Sequence, residues 1–378
     1  MAIGIESQYN VLFSIGGLDD FIHARNLNSF VLVAECGNVL PVFELSFSCR
    51  DSDQIKYFNE GNVLTVSIGP GGDQEADESK LVIVDSKIAR QGESSFSITL
   101  KGIYNALNYL MKNVTQISDK KSALEVMLDV VSPYFDPWFN NGVSEDSQYW
   151  IQGNIPDKSF VNQLWMRMDL TDKSFPVVGI DRDGRFVFKD IKMDLANDPA
   201  WTFTQTPAGG SDVMINSNIT VSQSTGFMNQ LYGYGKEQLI NVIETGLSRT
   251  EESEASTMLA MTNVINKAAE VEKRQSVPGL IGENVHANYH KSYLHNLIFL
   301  TSFSQVEVTC SYVGIYRPIR LLDRVIFKDD SLENRKETMP YWSGEYYITK
   351  IAIAISDSKF TTNVTLNREA FDSQKKII

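Results

Sequence analysis

Four histidines are few for a chain of 378 residues, yet three of them, His286, His290 and His295, fall close together. The first two stand four apart, the spacing that puts two imidazoles on one helical face toward a metal ion. A metalloprotease would need glutamate directly after the first histidine as its general base, and Ala287 stands there. Spacing therefore assigns these residues no role, and three solvated or interface histidines satisfy it equally well. Asp181 and Asp183 with Gly184 resemble the start of a calcium loop, but an EF-hand needs further oxygen ligands and a glutamate at its twelfth position. The following Arg185-Phe-Val-Phe188 reads as a strand. A hairpin turn is expected instead, with Asp183-Gly184 supplying its positive φ angles.

The remaining candidates are weaker still. Gly69-Pro-Gly-Gly72 lacks the Gly-Lys-Ser/Thr of a phosphate cradle, and acidic residues follow it, so a projecting loop through Ser79 is expected. There is no Gly-x-Ser-x-Gly elbow and no cysteine-histidine signature of a nucleophile. The 47 carboxylates offer chance pairs for glycoside hydrolysis, but spacing in sequence says nothing of separation in space. No catalytic, cofactor-binding or metal-ligating residue is assigned, and no cofactor is expected.

Composition narrows the classes further. The net charge of −13 and the lack of any Lys/Arg cluster argue against a nucleic-acid-binding surface. Colloidal solubility explains that charge, and so does repulsion of a polyanion that must pass without sticking. Cys36, Cys49 and Cys310 make neither a disulfide framework nor a metal spacing. Cys49 and Cys310 fall at inward positions of alternating strands, where free cysteine acts as a small hydrophobe, and a reducing cytoplasm fits. No secretion signal is visible, and no apolar run approaches the roughly 20 residues of a membrane helix.

The elements that would position any site are mostly strands. From about 26 to 104 the sequence alternates, as in Phe43, Leu45, Phe47 and Cys49 or Leu64, Val66 and Ile68. A helix follows behind a serine cap within Ser118 to Val131, with Leu124, Met127, Leu128 and Val131 on one face. Tyr134-Phe-Asp-Pro-Trp-Phe139 is expected to be irregular, and a second short helix runs from Asp157 to about Met168. Short strands punctuated by Pro207, Gly209 and Gly210 are expected over 201–240. Ser248-Arg-Thr-Glu251 has capping-box spacing, and Met258, Met261, Ile265, Ala268 and Val271 recur at helical steps until Pro278-Gly279. Alternation resumes at Val306.

One hairpin pattern occurs twice. Lys80 to Leu100 and Glu345 to Leu366 each begin with an apolar strand, turn through small polar residues and return on alternation. The inward positions are Phe96, Ile98 and Leu100 in one copy and Phe360, Val364 and Leu366 in the other. Two half-buried sheets of one design in one chain predict two related barrels or sandwiches.

The order of these pieces resembles the baseplate hub proteins of contractile phage tails, and the hub-like first part of type VI secretion spike proteins. The matching pieces are Val63-Leu-Thr-Val-Ser-Ile-Gly69, the hairpin ending Ile98-Thr-Leu-Lys-Gly102, and the helix Asp157-Lys-Ser-Phe-Val-Asn-Gln-Leu164 leading into Asp183-Gly-Arg-Phe-Val-Phe188. The terminal hairpin from Gly344-Glu-Tyr-Tyr-Ile-Thr-Lys-Ile351 to Val364-Thr-Leu366 completes the set. The resemblance implies a mainly β fold with α+β insertions. Its parts would be a first tail-tube-like barrel over 1–104, an inserted α+β domain over 105–200, strands over 201–240 completing a second barrel, a helical insertion over 241–300, and that second barrel over 301–378. It also implies a non-enzymatic homotrimer of six barrels, joining a central spike protein to a tail tube or tube-initiator protein beside other baseplate proteins. DNA would pass through its channel without specific binding. The protein would be made in the host cytoplasm and reside in the virion tail. Any spike or wall-degrading activity is expected on another protein. A β-rich carbohydrate-binding or adhesin module would need clustered exposed Trp and Tyr, whereas the five Trp here are scattered. A hydrolase would need a convergent polar pocket.

Overall fold

Alternating residues build nearly everything in this chain, because period-2 burial wets one face of a strand and buries the other. The computed structural model describes most of residues 9–223 and 306–368, together with 232–234, 239–241, 292, 296, 300 and 303. The first run of strands is β1 (Asn10–Ile15), β2 (Leu18–Asp19), β3 (Leu27–Glu35), β4 (Val42–Cys49), β5 (Val63–Gly69), β6 (Asp77–Arg90) and β7 (Phe96–Tyr104). A middle run holds α1 (Leu107–Met111), β8 (Asn113–Lys121), α2 (Ala123–Val131), β9 (Asp136–Phe139), β10 (Gln148–Pro156), α3 (Asp157–Arg167), β11 (Pro176–Ile180), β12 (Arg185–Asp190) and α4 (Ile191–Asp194). Short strands follow: β13 (Trp201–Thr204), β14 (Asp212–Met214), β15 (Thr220–Gln223), β16 (Tyr232–Tyr234) and β17 (Leu239–Asn241). The last run is β18 (Val306–Val313), β19 (Arg324–Phe327), β20 (Gly344–Ser356) and β21 (Lys359–Arg368).

Fourteen of these strands form one continuous sheet, and it repeats a single strand order. The first half reads β3-β4-β7-β6-β5-β1, and the second reads β15-β18-β21-β20-β19-β13, with the last strand antiparallel to its neighbour in the first half and parallel in the second. The two hairpins noticed in the sequence, β6–β7 and β20–β21, occupy equivalent places. Each carries a bulge at the same point, with Val84 the extra residue in one and Thr349 in the other. Before its bulge, each long strand gives its outer edge to the preceding strand, Val63 to Val82 and Arg324 to Tyr347. After the bulge the copies differ, since β20 gives that edge to β3 of the first half. One apolar core, from Val11 and Phe30 to Ile353 and Leu366, therefore runs through both halves.

The middle run packs its own core of helix and sheet side chains. Ser122 is the expected serine cap of α2, in a full capping box with Glu125, and residues to Lys121 belong to β8. The buried face of α2 includes Val126 and Val130, whereas Leu128 is exposed. The aromatic segment expected to be irregular is partly strand: β9 pairs in parallel with β12, whose partner residues lie some fifty positions away. That pairing is non-local, so no period within the segment marks it. The expected turn before β12 forms with Asp181 N donating to Arg185 O at 2.9 Å. Only Gly184 takes a positive φ (+83°), so Asp183 does not share that role. A Cβ at Gly184 would meet the Tyr104 hydroxyl at 1.9 Å, a second reason for glycine there.

The capping box at 248–251, the helix expected over 258–271 and all three clustered histidines lie outside the described residues. Helical Ser292 and Asn296 are buried. The Asn296 amide donates to the carbonyls of Trp165, Met166 and Met168 at the end of α3.

Candidate functional site

The feature that stands apart from ordinary strand packing is the junction where the two halves of the sheet and the middle run meet. It has an apolar part and an ionic part. In the apolar part, β20 and β3 pair antiparallel from Lys350–Glu35 to Ser356–Ser29. Its inward rungs are Ile351 with Ala34, Ile353 with Leu32 and Ile355 with Phe30, all buried. Cross-strand apolar pairs of this kind are the unit that holds a sheet together. The exposed Lys350–Glu35 pair at 3.1 Å adds about 0–1 kcal/mol at most.

The ionic part gathers residues from three distant segments: Asp77 at the start of β6, Asp181, Arg182 and Asp183 in the turn before β12, and Tyr316 and Arg320 before β19. Arg182 is only 2% exposed; it donates to Asp77 at 2.7 Å and to the Ile319 carbonyl at 2.9 Å, and lies 3.7 Å from Asp181. Arg320 donates to Asp183 at 2.5 Å and to Asp77 at 3.3 Å. The Tyr316 hydroxyl donates to Asp77, and the Leu321 amide to Asp181.

Protonation follows from that geometry. Burial opposes the charge of Arg182, but Asp181 and Asp77 outweigh it and hold the guanidinium above its ordinary value. Burial also pushes the Asp77 carboxyl up, and here Arg182 and the Tyr316 hydrogen bond win, so it sits below its ordinary value. Asp181 is wholly enclosed; burial exceeds the attraction of Arg182 and raises it. Tyr316 is pushed up to about 12 by burial, reinforced by the Asp77 carboxylate against the opposing charge of Arg182. These carboxylates are held by guanidinium, hydroxyl and amide donors rather than presented for acid–base work. The cluster acts as a clamp that fixes the middle run across both halves.

A second contact does the same with apolar surface. Phe175, Val177, Val187 and Ile191 of the middle run pack against Phe303, Leu322 and Tyr347. Lys189 reaches the Leu322 carbonyl at 2.8 Å and Asp194 at 3.2 Å. At the other end, the Cys36 amide donates to Thr349 O and the Gly37 amide to Val178 O, both at 2.7 Å.

Asp181 and Asp183 sit in the turn before β12, where arginine and backbone amide donors hold their carboxylates. Nothing in the local sequence revealed the clamp, because Arg182 meets partners more than a hundred positions away. Cys49 and Cys310 are buried, and burial pushes the Cys310 thiol up to about 12. Among the described residues, no three His, Cys, Asp or Glu side chains are grouped to hold a metal ion. All five tryptophans are described, and only Trp138 is substantially exposed, with the Lys189 ammonium over its ring. They form no exposed aromatic platform for a sugar.

No protein-family model matches the sequence, and no curated protein matches it either. In structure the chain is similar to a tail protein from Neisseria meningitidis MC58, with TM-score 0.59 and 11% identity, covering 96% of this chain and 98% of that one. It is similar as well to the 43 kDa tail protein of prophage MuSo2 from Shewanella oneidensis, with TM-score 0.60, 11% identity and coverage of 95% and 98%. This is a phage-tail-protein fold. A Francisella PdpA-VgrG complex contains a further similar chain, at TM-score 0.50 and 9% identity; 97% of this chain covers 53% of that one. Among the described residues, no helix is long and apolar enough to cross a membrane.

Proposed function

We propose that this chain is a structural, non-enzymatic hub of a contractile phage tail baseplate. In this reading, residues 1–104 form one tail-tube-like barrel. Residues 301–378, completed by strands from 201–240, form the second; 105–200 and 241–300 are insertions. Three chains make a ring of six barrels that joins a central spike to the tail tube and leaves a channel for DNA. The observation that carries it is the repeated strand order, hairpin and bulge in one sheet. A chain that carries its fold twice lets a threefold assembly present six similar units to a sixfold tube. Similarity to two tail proteins over nearly the full length of both chains supports the same reading.

The channel wall should be neutral or acidic. A lysine- and arginine-lined wall would gain phosphate contacts strengthened by counterion release, and passing DNA would stick. Asp, Glu, Ser, Thr and Asn are expected to outnumber Lys and Arg on the channel-facing strands. Native mass measurement of the purified protein, alone and mixed with its spike, tests the assembly. Three chains are expected, and a stable monomer even with the spike present would count against the hub.

A further inference from the structure

The sheet holds one strand-edge contact between its two halves and leaves the complementary contact unmade. Within the chain, the outer edge of β20 beyond its bulge pairs with the outer edge of β3. Their counterparts in the repeated order are the outer edge of β6 beyond its bulge and the outer edge of β15. Among the described strands, neither has a partner: β6 pairs with β5 from Asp77 to Val82, before the bulge, and β15 pairs only with β18. Burial records the same gap. Ile353 of β20 is 3% exposed under Leu32, whereas Ile88, at the same rung of β6, is 38% exposed. Ile88 faces inward, since it pairs with fully buried Ile98 across the hairpin. An apolar inward residue on an open strand edge is a template for another strand.

Resting on the hub reading, we propose that β6 of one copy receives β15 of the next by the contact that β20 makes with β3. Carrying the internal register across the repeat fixes the pairs. Lys350–Glu35 to Ser356–Ser29 becomes Ser86 opposite Gln223, Lys87 opposite Ser222, Ile88 opposite Val221 and Ala89 opposite Thr220. Ile88 then meets the partly buried Val221, which already leans on the core. One copy offers a β6 edge and the next a β15 edge, so the contact is head-to-tail and self-propagating until it closes.

Paired cysteines in the full chain test this. Lys87 and Ser222 are both exposed, so Lys87→Cys with Ser222→Cys should fold. On mild oxidation, copies are expected to join head to tail, with the ladder on a denaturing gel ending at three chains. The control, Asp85→Cys with Thr220→Cys, is displaced by four rungs and should not join; the unsubstituted chain accounts for the native thiols. A native trimer that forms without the Lys87–Ser222 link would overturn this inference and leave the hub standing. Linked chains that run on past three would support the edge pairing and overturn the ring. A monomer without links would overturn both.

Discussion

The β6–β7 and β20–β21 hairpins have the same bulge and equivalent places in the repeated strand order, yet they are not interchangeable. Opposite the residue before the bulge, one copy has Gly102 and the other Leu366. A Cβ on Gly102 would lie 2.0 Å from the Val82 carbonyl and 2.4 Å from the Phe43 ring, while Leu366 is fully buried at its rung. Beyond the bulge, one strand is covered by β3 and the other has no described partner on that side. Strand order and bulge define the unit, while packing at individual rungs adapts to what each copy must contact.

The harshest way to break the equivalence is to write the second copy into the first. Gly102→Leu must displace backbone and is expected to cost more than about 4 kcal/mol or to abolish folding. Denaturant unfolding measures it, and a loss below about 1 kcal/mol would mean the copies pack alike after all. Next comes the clamp, which has no duplicate. Arg182→Met leaves Asp77 and Asp181 without their principal cation and should cost about 3–5 kcal/mol by the same assay. Third is the matched pair of isoleucines. Ile353→Ala, at a covered rung, should cost about 2–5 kcal/mol, whereas Ile88→Ala in the monomer should cost about 1 kcal/mol or less. Equal losses would show that the two edges have the same surroundings.

The smallest effect is one of pH. The Asp77 carboxyl sits below its ordinary value of 3.8, so the stability from its ionised form is present above that value and lost as pH falls through its folded one. Asp181 is raised, so its contribution is full below 3.8 and declines as pH rises through its folded value. Asp77→Asn should therefore unfold with a shallower acid-side loss below pH 3.8 than the unsubstituted chain. Parallel losses in urea titrations across that range would contradict this assignment.

Much of the sheet was legible because its signal is local. Alternation located the hairpins, and Phe96 and Phe360 do occupy the same rung. The apolar series of the second copy skips a position because Thr362 stands at the rung of Ile98; it is polar but only 2% exposed. Hydrophobic patterning cannot announce a buried threonine. The parallel β9–β12 pairing and the arginine clamp were illegible for a different reason. Both join residues whose proximity exists only after the chain has folded, and neither leaves a period in its own segment. The serine cap expected ahead of the α2 stripe is Ser122, which has Glu125 at capping-box spacing, a signal as local as the alternation.

Electron cryomicroscopy of the chain assembled with its spike, averaged without imposed symmetry, tests whether one β unit is built twice so that three chains present it six times. The expected image is a ring with a central hole, threefold in its insertions and nearly sixfold in its strands, with β20–β3 and β6–β15 contacts alternating around it. A solid particle of single-chain mass, or a ring of six chains in which only one half of each sheet faces the hole, would contradict it.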